Sequence, residues 1–279
     1  MPSKKLSLPY ILIYLNEYKN FLNEQTNQTS EKFIVWEGVF HSWEDAVRSA
    51  GGADGEEGFS NEQWFERISS QLNSFRSEFD RFGIAVPPRP TNLSTVVALT
   101  KSKTILDIGG SSGWIYDYLN SIILPNKIKR YSILEVPDIV SISKKFNHSD
   151  KVRYYRDYDK IHSCDLLYTN SVIQYFPSNE FLLKIIQKAT PQFILIDDLY
   201  AGDNDEFFSN QISYGKRIPH RFLSFEKFRK EISKQGYWLI LKQPFNTPIL
   251  GQYQPKPMDH FPKEYRLRYS LAVVFQKIN

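Results

Sequence analysis

One cysteine and two methionines stand among 279 residues. A lone thiol excludes an internal disulfide, fits a reducing compartment and points to the cytoplasm. We place Cys164 against the core beside a strand rather than at a catalytic centre. Long hydrophobic runs are missing too: nothing approaches the roughly 20 apolar residues of a membrane-crossing helix. Residues 6–15, after Lys4 and Lys5, are faintly like a signal peptide. Pro9 and Tyr10 interrupt them and no small-residue cleavage site follows before Asn16, so a packed or membrane-surface helix fits better. Neither sign of charge dominates. The 35 Lys and Arg against 31 Asp and Glu leave a net charge of +4, too mild for the footprint of a nucleic-acid binder. No internal repeat is visible. What is abundant is core-forming material: 41% of residues are hydrophobic and 15% aromatic. That supports one large domain with an N-terminal addition. Aromatic faces also serve sugar and nucleotide sites, but cores claim them first.

The segment TILDIGGSSGW, residues 104–114, carries the most information. An apolar strand pattern runs into a glycine-rich turn, and a helical pattern follows over 114–124. Such a unit lets a nucleotide-like ligand approach the backbone. It is not the dinucleotide version: read as G-x-G-x-x-G from Gly109, the later glycines fall on Ser111 and Trp114, which disfavours a nicotinamide enzyme. Read as D-x-G-x-x-x-G from Asp107, the spacing resembles the first motif of class I methyltransferases. That resemblance implies that Asp107 and the loop Gly109, Gly110, Ser111 and Gly113 hold the amino-acid end of S-adenosylmethionine. Alternatively Asp107 caps the next helix and the glycines serve only a tight turn.

Further strands are expected over 131–134, 152–155, 165–169 and 193–196, with an amphipathic helix over 179–188. Alternating strands and helices argue for an α/β fold with a parallel sheet, whose ligands bind at the carboxyl ends of the strands. Asp107, Glu135, Asp157, Asn170 and Asp197 all fall there. Glu135 ends the second strand, where two carboxylate oxygens can accept both hydroxyls of a ribose. Asp157 stands where a carboxylate can accept from an adenine amino group, with Asp159 and Asp165 as competitors. A helix over 225–235, stopped by Gly236, precedes two last strands over 237–243 and 269–277. The connection over 244–268, with four prolines, is long enough to be functional or mobile.

Four elements together resemble a family of class I methyltransferases commonly found with bacterial surface-polysaccharide biosynthesis genes: LDIGGSSG, E-V-P at residues 135–137, NSVIQYF at 170–176 and ILIDD at 194–198. WEGVFHSWEDAVRSAGG (36–52) and RIPHRFLSFEKF (217–228) extend the likeness from about Phe33 onward. The resemblance implies a Rossmann-like sheet, mostly parallel with an antiparallel last strand, and an N-terminal helical cap. It implies S-adenosylmethionine as cofactor and a small-molecule or glycan acceptor. The chain departs from the family pattern at Gly51 and Gly52, followed by an acidic loop, and at Asp198, where the family often has arginine.

Methyl transfer to a hydroxyl needs a base. The candidates are His220, Asp198 and Asp197, with His220 placed in a loop ahead of the last helix. It reads as a base of suitable acidity or as a surface histidine of a proline-rich loop. Arg221 can bind an anionic acceptor or form a surface ion pair. Tyr175 and Tyr200 are candidate acceptor contacts, and Tyr175 could instead only pack. No metal is expected, because the fourth strand ends in Asn170 rather than a carboxylate. GGADGEEG (51–58) misses the calcium-loop spacing and reads as a solvated turn. The N-terminal third reads as mostly helical. A helix over 8–22 leads to a polar linker over 23–30, and Ser42 starts another helix. A long helix over 61–82 carries Trp64, Phe65, Ile68, Leu72, Phe75 and Phe79. PPRP at 87–90 is a stiff connection, and a short helix follows over 92–99. We divide the chain into a cap, residues 1–100, over the acceptor site, and a cofactor-binding domain, residues 101–279. A methyltransferase for another N- or O-acceptor, and a non-catalytic binding module retaining the fold, are the alternatives.

Overall fold

The computed structural model describes residues 34–52, 62–82, 91–122, 127–146, 148–213, 215–245 and 256–278. The expected helix over 8–22 and linker over 23–30, most of the acidic turn over 51–58, and the PPRP connection lie outside these residues. So do 246–255 of the long connection and the side chains of Trp64 and Phe79.

The chain enters through β1 (Trp36–Phe40) and α1 (Trp43–Ser49). Ser42 caps α1, its hydroxyl accepting from the Asp45 N–H at 3.1 Å, which satisfies one of the helix's orphan donors. Helices α2 (Glu62–Phe82) and α3 (Thr91–Thr100) follow. Strands and helices then alternate: β2 (Thr104–Ile108), α4 (Trp114–Ile122), β3 (Arg130–Leu134), α5 (Pro137–Ile142), β4 (Val152–Tyr155), β5 (Leu166–Asn170), α6 (Glu180–Ala189) and β6 (Phe193–Leu199). Three strands come next, β7 (Ala201–Gly202), β8 (Phe207–Ser213) and β9 (Lys216–Ser224). The chain closes with α7 (Phe225–Lys234), β10 (Tyr237–Phe245) and β11 (Ser270–Lys277).

Seven strands form one sheet in the order β10-β11-β6-β5-β2-β3-β4. The pairings of β2 with β3 and β5, β3 with β4, and β5 with β6 are parallel. Strand β11 runs antiparallel to both β6 and β10. Its sequence SLAVVF is buried throughout, as a strand covered on both faces requires. Consecutive residues alternate between the faces. Leu106, Leu167, Ile194 and Phe275 pack with Ile185 of α6 and Phe228 of α7. Ile105, Tyr168, Leu195 and Val274 pack with Val97 of α3 and Leu119 of α4.

The second sheet, β1-β8-β9-β7, was not expected. RIPHRFLS, read as a loop, is strand β9, antiparallel to β8 from Ser213↔Lys216 to Phe207↔Phe222. Pro219 and the polar run Ser209-Asn210-Gln211 conceal it, because proline inside a run argues against a strand. WEGVF, within a segment read as helical, is strand β1, paired with β8 across Trp36↔Gln211. The inner face of this sheet, with Trp36, Phe207 and Phe222, packs on Tyr200, Met258 and Phe261. It thereby lies against the chain leaving β6.

Candidate active site

The glycine loop is shaped by close approach on both sides. Gly109, at φ +71°, donates its N–H to the Leu134 carbonyl at 2.9 Å, and a Cβ there would meet Val172 Cγ2 at 2.4 Å. A Cβ on Gly110 would lie 2.5 Å from Asp107 Oδ2, so this carboxyl sits directly beneath the loop backbone. Gly113 is at φ +73° and starts α4 by accepting from the Tyr116 N–H at 2.9 Å. The Ser111 and Ser112 hydroxyls are buried without a partner among the described residues. Buried polar atoms are normally satisfied, and an orphan pair inside a backbone cradle suits a ligand.

Two acids flank the loop. Asp107 is 1% exposed and accepts from the Tyr131 hydroxyl at 2.5 Å. Burial pushes its carboxyl up to about 8 against the pull of that hydrogen bond, and the nearby Glu135 charge adds to the rise. Glu135 follows β3, and burial pushes it up to about 7. The N–H groups of Val136, at 2.8 Å, and of Ser111 donate to its carboxylate and oppose that rise. The Ser111 contact ties the acid to the loop itself. Asp157 stands at the end of β4 as expected, with Oδ1 accepting from the Asp159 N–H at 2.9 Å to cap a short 3-10 turn. Asn170 ends β5, half-buried.

Three of the five non-glycine residues with positive φ among the described residues cluster here: Ser111, Ser171 and Asp198, at φ +53°, +58° and +52°. They lie at or just beyond the carboxyl ends of β2, β5 and β6, which are neighbours in the sheet. Such conformations cost about 1–3 kcal/mol each, and concentrate where function requires them.

Asp197 and Asp198 point to opposite sides. Asp197 is fully buried, with Oδ1 accepting from Asn92 of α3 at 2.8 Å, Oδ2 without a partner among the described residues, and the group raised to about 7 by burial. Asp198 accepts from the Ser171 hydroxyl and, at 2.5 Å, from that of Ser270. Lys256 Nζ reaches it at 3.4 Å and the Tyr200 hydroxyl at 3.3 Å. Lys256 was not singled out in the sequence, where only the length of its loop hinted at function.

His220 is not in a surface loop. It lies in β9, wholly buried, with both ring nitrogens unpartnered among the described residues. Ring centroids of Tyr200, Tyr175 and Trp36 lie 4.7, 5.6 and 5.6 Å from it. Burial, and then the Lys256 charge, hold it well below the usual histidine range, so it is neutral. The Tyr175 hydroxyl donates to Gln211 Oε1 at 2.5 Å. His220, Asp198, Tyr175 and Tyr200, far apart in sequence, are therefore brought together. Arg221 is not with them. On the other face of β9 it is 1% exposed and donates to Asn179 Oδ1 at 2.6 Å, with Glu206 at 3.7 Å. Neither the surface ion pair nor the free anion binder of the sequence reading describes it. Among the described residues, no group of three or more His, Cys, Asp or Glu is placed to hold a metal ion.

The fold is a Rossmann-like α/β sheet, mostly parallel with an antiparallel last strand. No protein-family model matches the sequence, and no curated protein does. Solved structures that the chain resembles include three methyltransferases. Human N-acetylserotonin methyltransferase, in complex with S-adenosylmethionine, is 15% identical, with a TM-score of 0.47 over 85% of this chain and 66% of that one. The 1,6-didemethyltoxoflavin-N1-methyltransferase of Burkholderia thailandensis, with bound S-adenosylhomocysteine, is 12% identical, with 0.45 over 76% and 87%. The glycopeptide N-methyltransferase MtfA, complexed with S-adenosylhomocysteine, is 10% identical, with 0.46 over 67% and 88%.

Proposed function

We propose that the protein is an S-adenosylmethionine-dependent methyltransferase that O-methylates a sugar or glycan precursor. The observation that carries the reading is the Asp107–glycine loop–Glu135 arrangement at the carboxyl ends of adjoining parallel strands, with Glu135 bonded to the Ser111 N–H. The residues fit the cofactor. The cradle admits no Cβ at Gly109 or Gly110, two hydroxyls are orphaned, and the acids are acceptors for a cationic amine and a diol. When bound, S-adenosylmethionine supplies an electrophilic methyl group.

In this reading Glu135 accepts the ribose hydroxyls, and Asp107 with the loop of Gly109, Gly110, Ser111 and Gly113, whose Ser111 and Ser112 hydroxyls have no partner among the described residues, holds the amino-acid end. Asp157 and Asn170 border the rest of the cofactor. Tyr175 and Tyr200 wall the acceptor recess, and the second sheet with the described residues between 34 and 100 caps it. His220 takes the hydroxyl proton: it is neutral, with lone-pair capacity unspent. Asp198 is a positioning group that holds Lys256, whose charge adds to burial in keeping His220 uncharged. A sugar acceptor is supported by the aromatic walls, by Trp36 Nε1 and Gln174 Oε1, which have no partner among the described residues, and by the engagement of Lys256 with Asp198. Surface-polysaccharide biosynthesis is supported by the sequence resemblance.

Calorimetric titration with S-adenosylmethionine, S-adenosylhomocysteine and NAD tests the cofactor, and micromolar binding of the first two alone is expected. A methyl-transfer screen over nucleotide sugars and glycan fragments then tests the acceptor. His220→Asn should lower turnover about 100-fold and leave S-adenosylhomocysteine affinity unchanged. Full turnover in that variant would sink the base role and favour a nitrogen acceptor.

A further inference from the structure

One buried polar cluster is unused by this mechanism, and it lies under the glycine loop. The His148 side chain is 4% exposed and brings Nε2 to 2.5 Å from the Ser112 carbonyl. A carbonyl oxygen only accepts, so Nε2 carries a proton and donates. A Cβ on Gly113 would stand 2.9 Å from the same nitrogen, so the imidazole also packs against the last glycine of the loop. The peptide joining Ser112 to Gly113 is thus held at both ends, because the Gly113 N–H donates to the Gly110 carbonyl at 2.9 Å. One residue earlier, the Ser111 N–H reaches Glu135.

The other side of the imidazole faces the N-terminal helices. Nδ1 lies 3.2 Å from Arg76 Nη2 and 3.4 Å from Asp117 Oδ1, and Arg76 Nε donates to Asp117 Oδ2 at 2.8 Å. Arg76 belongs to α2 and Asp117 to α4. Helix α2 is seated on the same region by Ile68 and Leu72, which pack with Ile139 and Phe146, and by Phe75 against Trp114, 5.9 Å between rings. An unbroken polar relay therefore runs from α2 through Arg76, Asp117 and His148 to the loop backbone.

We propose that His148 is a positioning residue for the cofactor loop and that, with Arg76 and Asp117, it makes cofactor affinity depend on the seating of α2. The proposal rests on the reading of that loop as the cofactor site. His148→Gln keeps an N–H donor at the Nε2 position; His148→Asn reaches only the Nδ1 position. Two quantities separate them: amide hydrogen exchange over residues 109–116 in the ligand-free protein, and the calorimetric Kd for S-adenosylhomocysteine. His148→Asn should speed loop exchange and weaken binding by about 10- to 50-fold each, and His148→Gln should stay within about threefold of wild type. Arg76→Met, made at a part-exposed position, should fall between them and guards against a histidine variant that fails to fold. Equal behaviour of the Asn and Gln variants, or wild-type values for Arg76→Met, would overturn the proposal. If the wild-type protein binds no S-adenosylhomocysteine, the affinity half falls with the cofactor reading. The exchange data would still decide whether His148 holds the loop.

Discussion

At Gly109 and Glu135 the candidate cofactor site hangs on single atoms. Valine at Gly109 would carry a side chain at φ +71° and drive it into Val172. Alanine at Glu135 would remove the acceptor of the Ser111 N–H. Gly109→Val and Glu135→Ala should each abolish S-adenosylhomocysteine binding in calorimetry while the far-ultraviolet circular dichroism stays native. Acidity adds a second test. Ligand hydroxyls favour ionised Glu135, whose free-protein value is about 7. Affinity should therefore fall as pH drops below 7, approaching about tenfold per unit, and a flat Kd between pH 8 and 5.5 would remove Glu135 from the site. These residues were legible in the sequence because each follows a strand at a fixed short distance. Lys256 was not, because it meets Asp198 across 58 residues through a connection with no periodic pattern. The burial of His220 was hidden for the same reason, since its neighbours Trp36, Tyr175 and Tyr200 come from three separate stretches.

Helices and central strands were legible because their apolar spacing is local and strong. Strand β4 occupies the expected 152–155, and α2 and α7 end within a residue of expectation. The second sheet was not, since β1, β8 and β9 are short on alternation and carry Gly38, Pro219 and several amides. Beside the apolar packing of its inner face, Arg221 ties this sheet to the body. It joins β9 to Asn179, just ahead of α6, while Asn179 Nδ2 donates to Glu231 Oε2 of α7 at 2.7 Å. Arg221→Met leaves the buried Asn179 Oδ1 without its charged donor, at a cost of about 2–3 kcal/mol. The Tm should drop by roughly 5–10 °C, at 2–4 °C per kcal/mol, with S-adenosylhomocysteine affinity unchanged. Lost turnover at an unaltered Tm would instead return Arg221 to the acceptor site.

At the scale of the molecule, three buried carboxyls among the described residues share one tendency: Asp107 is raised to about 8, Glu135 to about 7 and Asp197 to about 7. Each binds its proton more tightly folded than unfolded, so each contributes stability at low pH that is lost as pH rises through 7 to 8. His220, held neutral by burial, works the other way, but only below its unfolded value near ~6.5. The ligand-free Tm should therefore decline by several degrees between pH 6.5 and 8.5. Differential scanning calorimetry showing a rise over that range would mean that these carboxyls are not buried as described. The sheet order carries one more consequence, for synthesis. Strand β11 comes after β6 and β10 in the sequence, yet it stands between them and is the described partner of both. A ribosome delivers β2 to β5, with the glycine loop and its acids, a hundred residues or more before it delivers residue 270. The cofactor half can pair while the chain is still growing. The recess around His220 must wait, because Ser270, which grips Asp198, arrives on the strand that closes the gap.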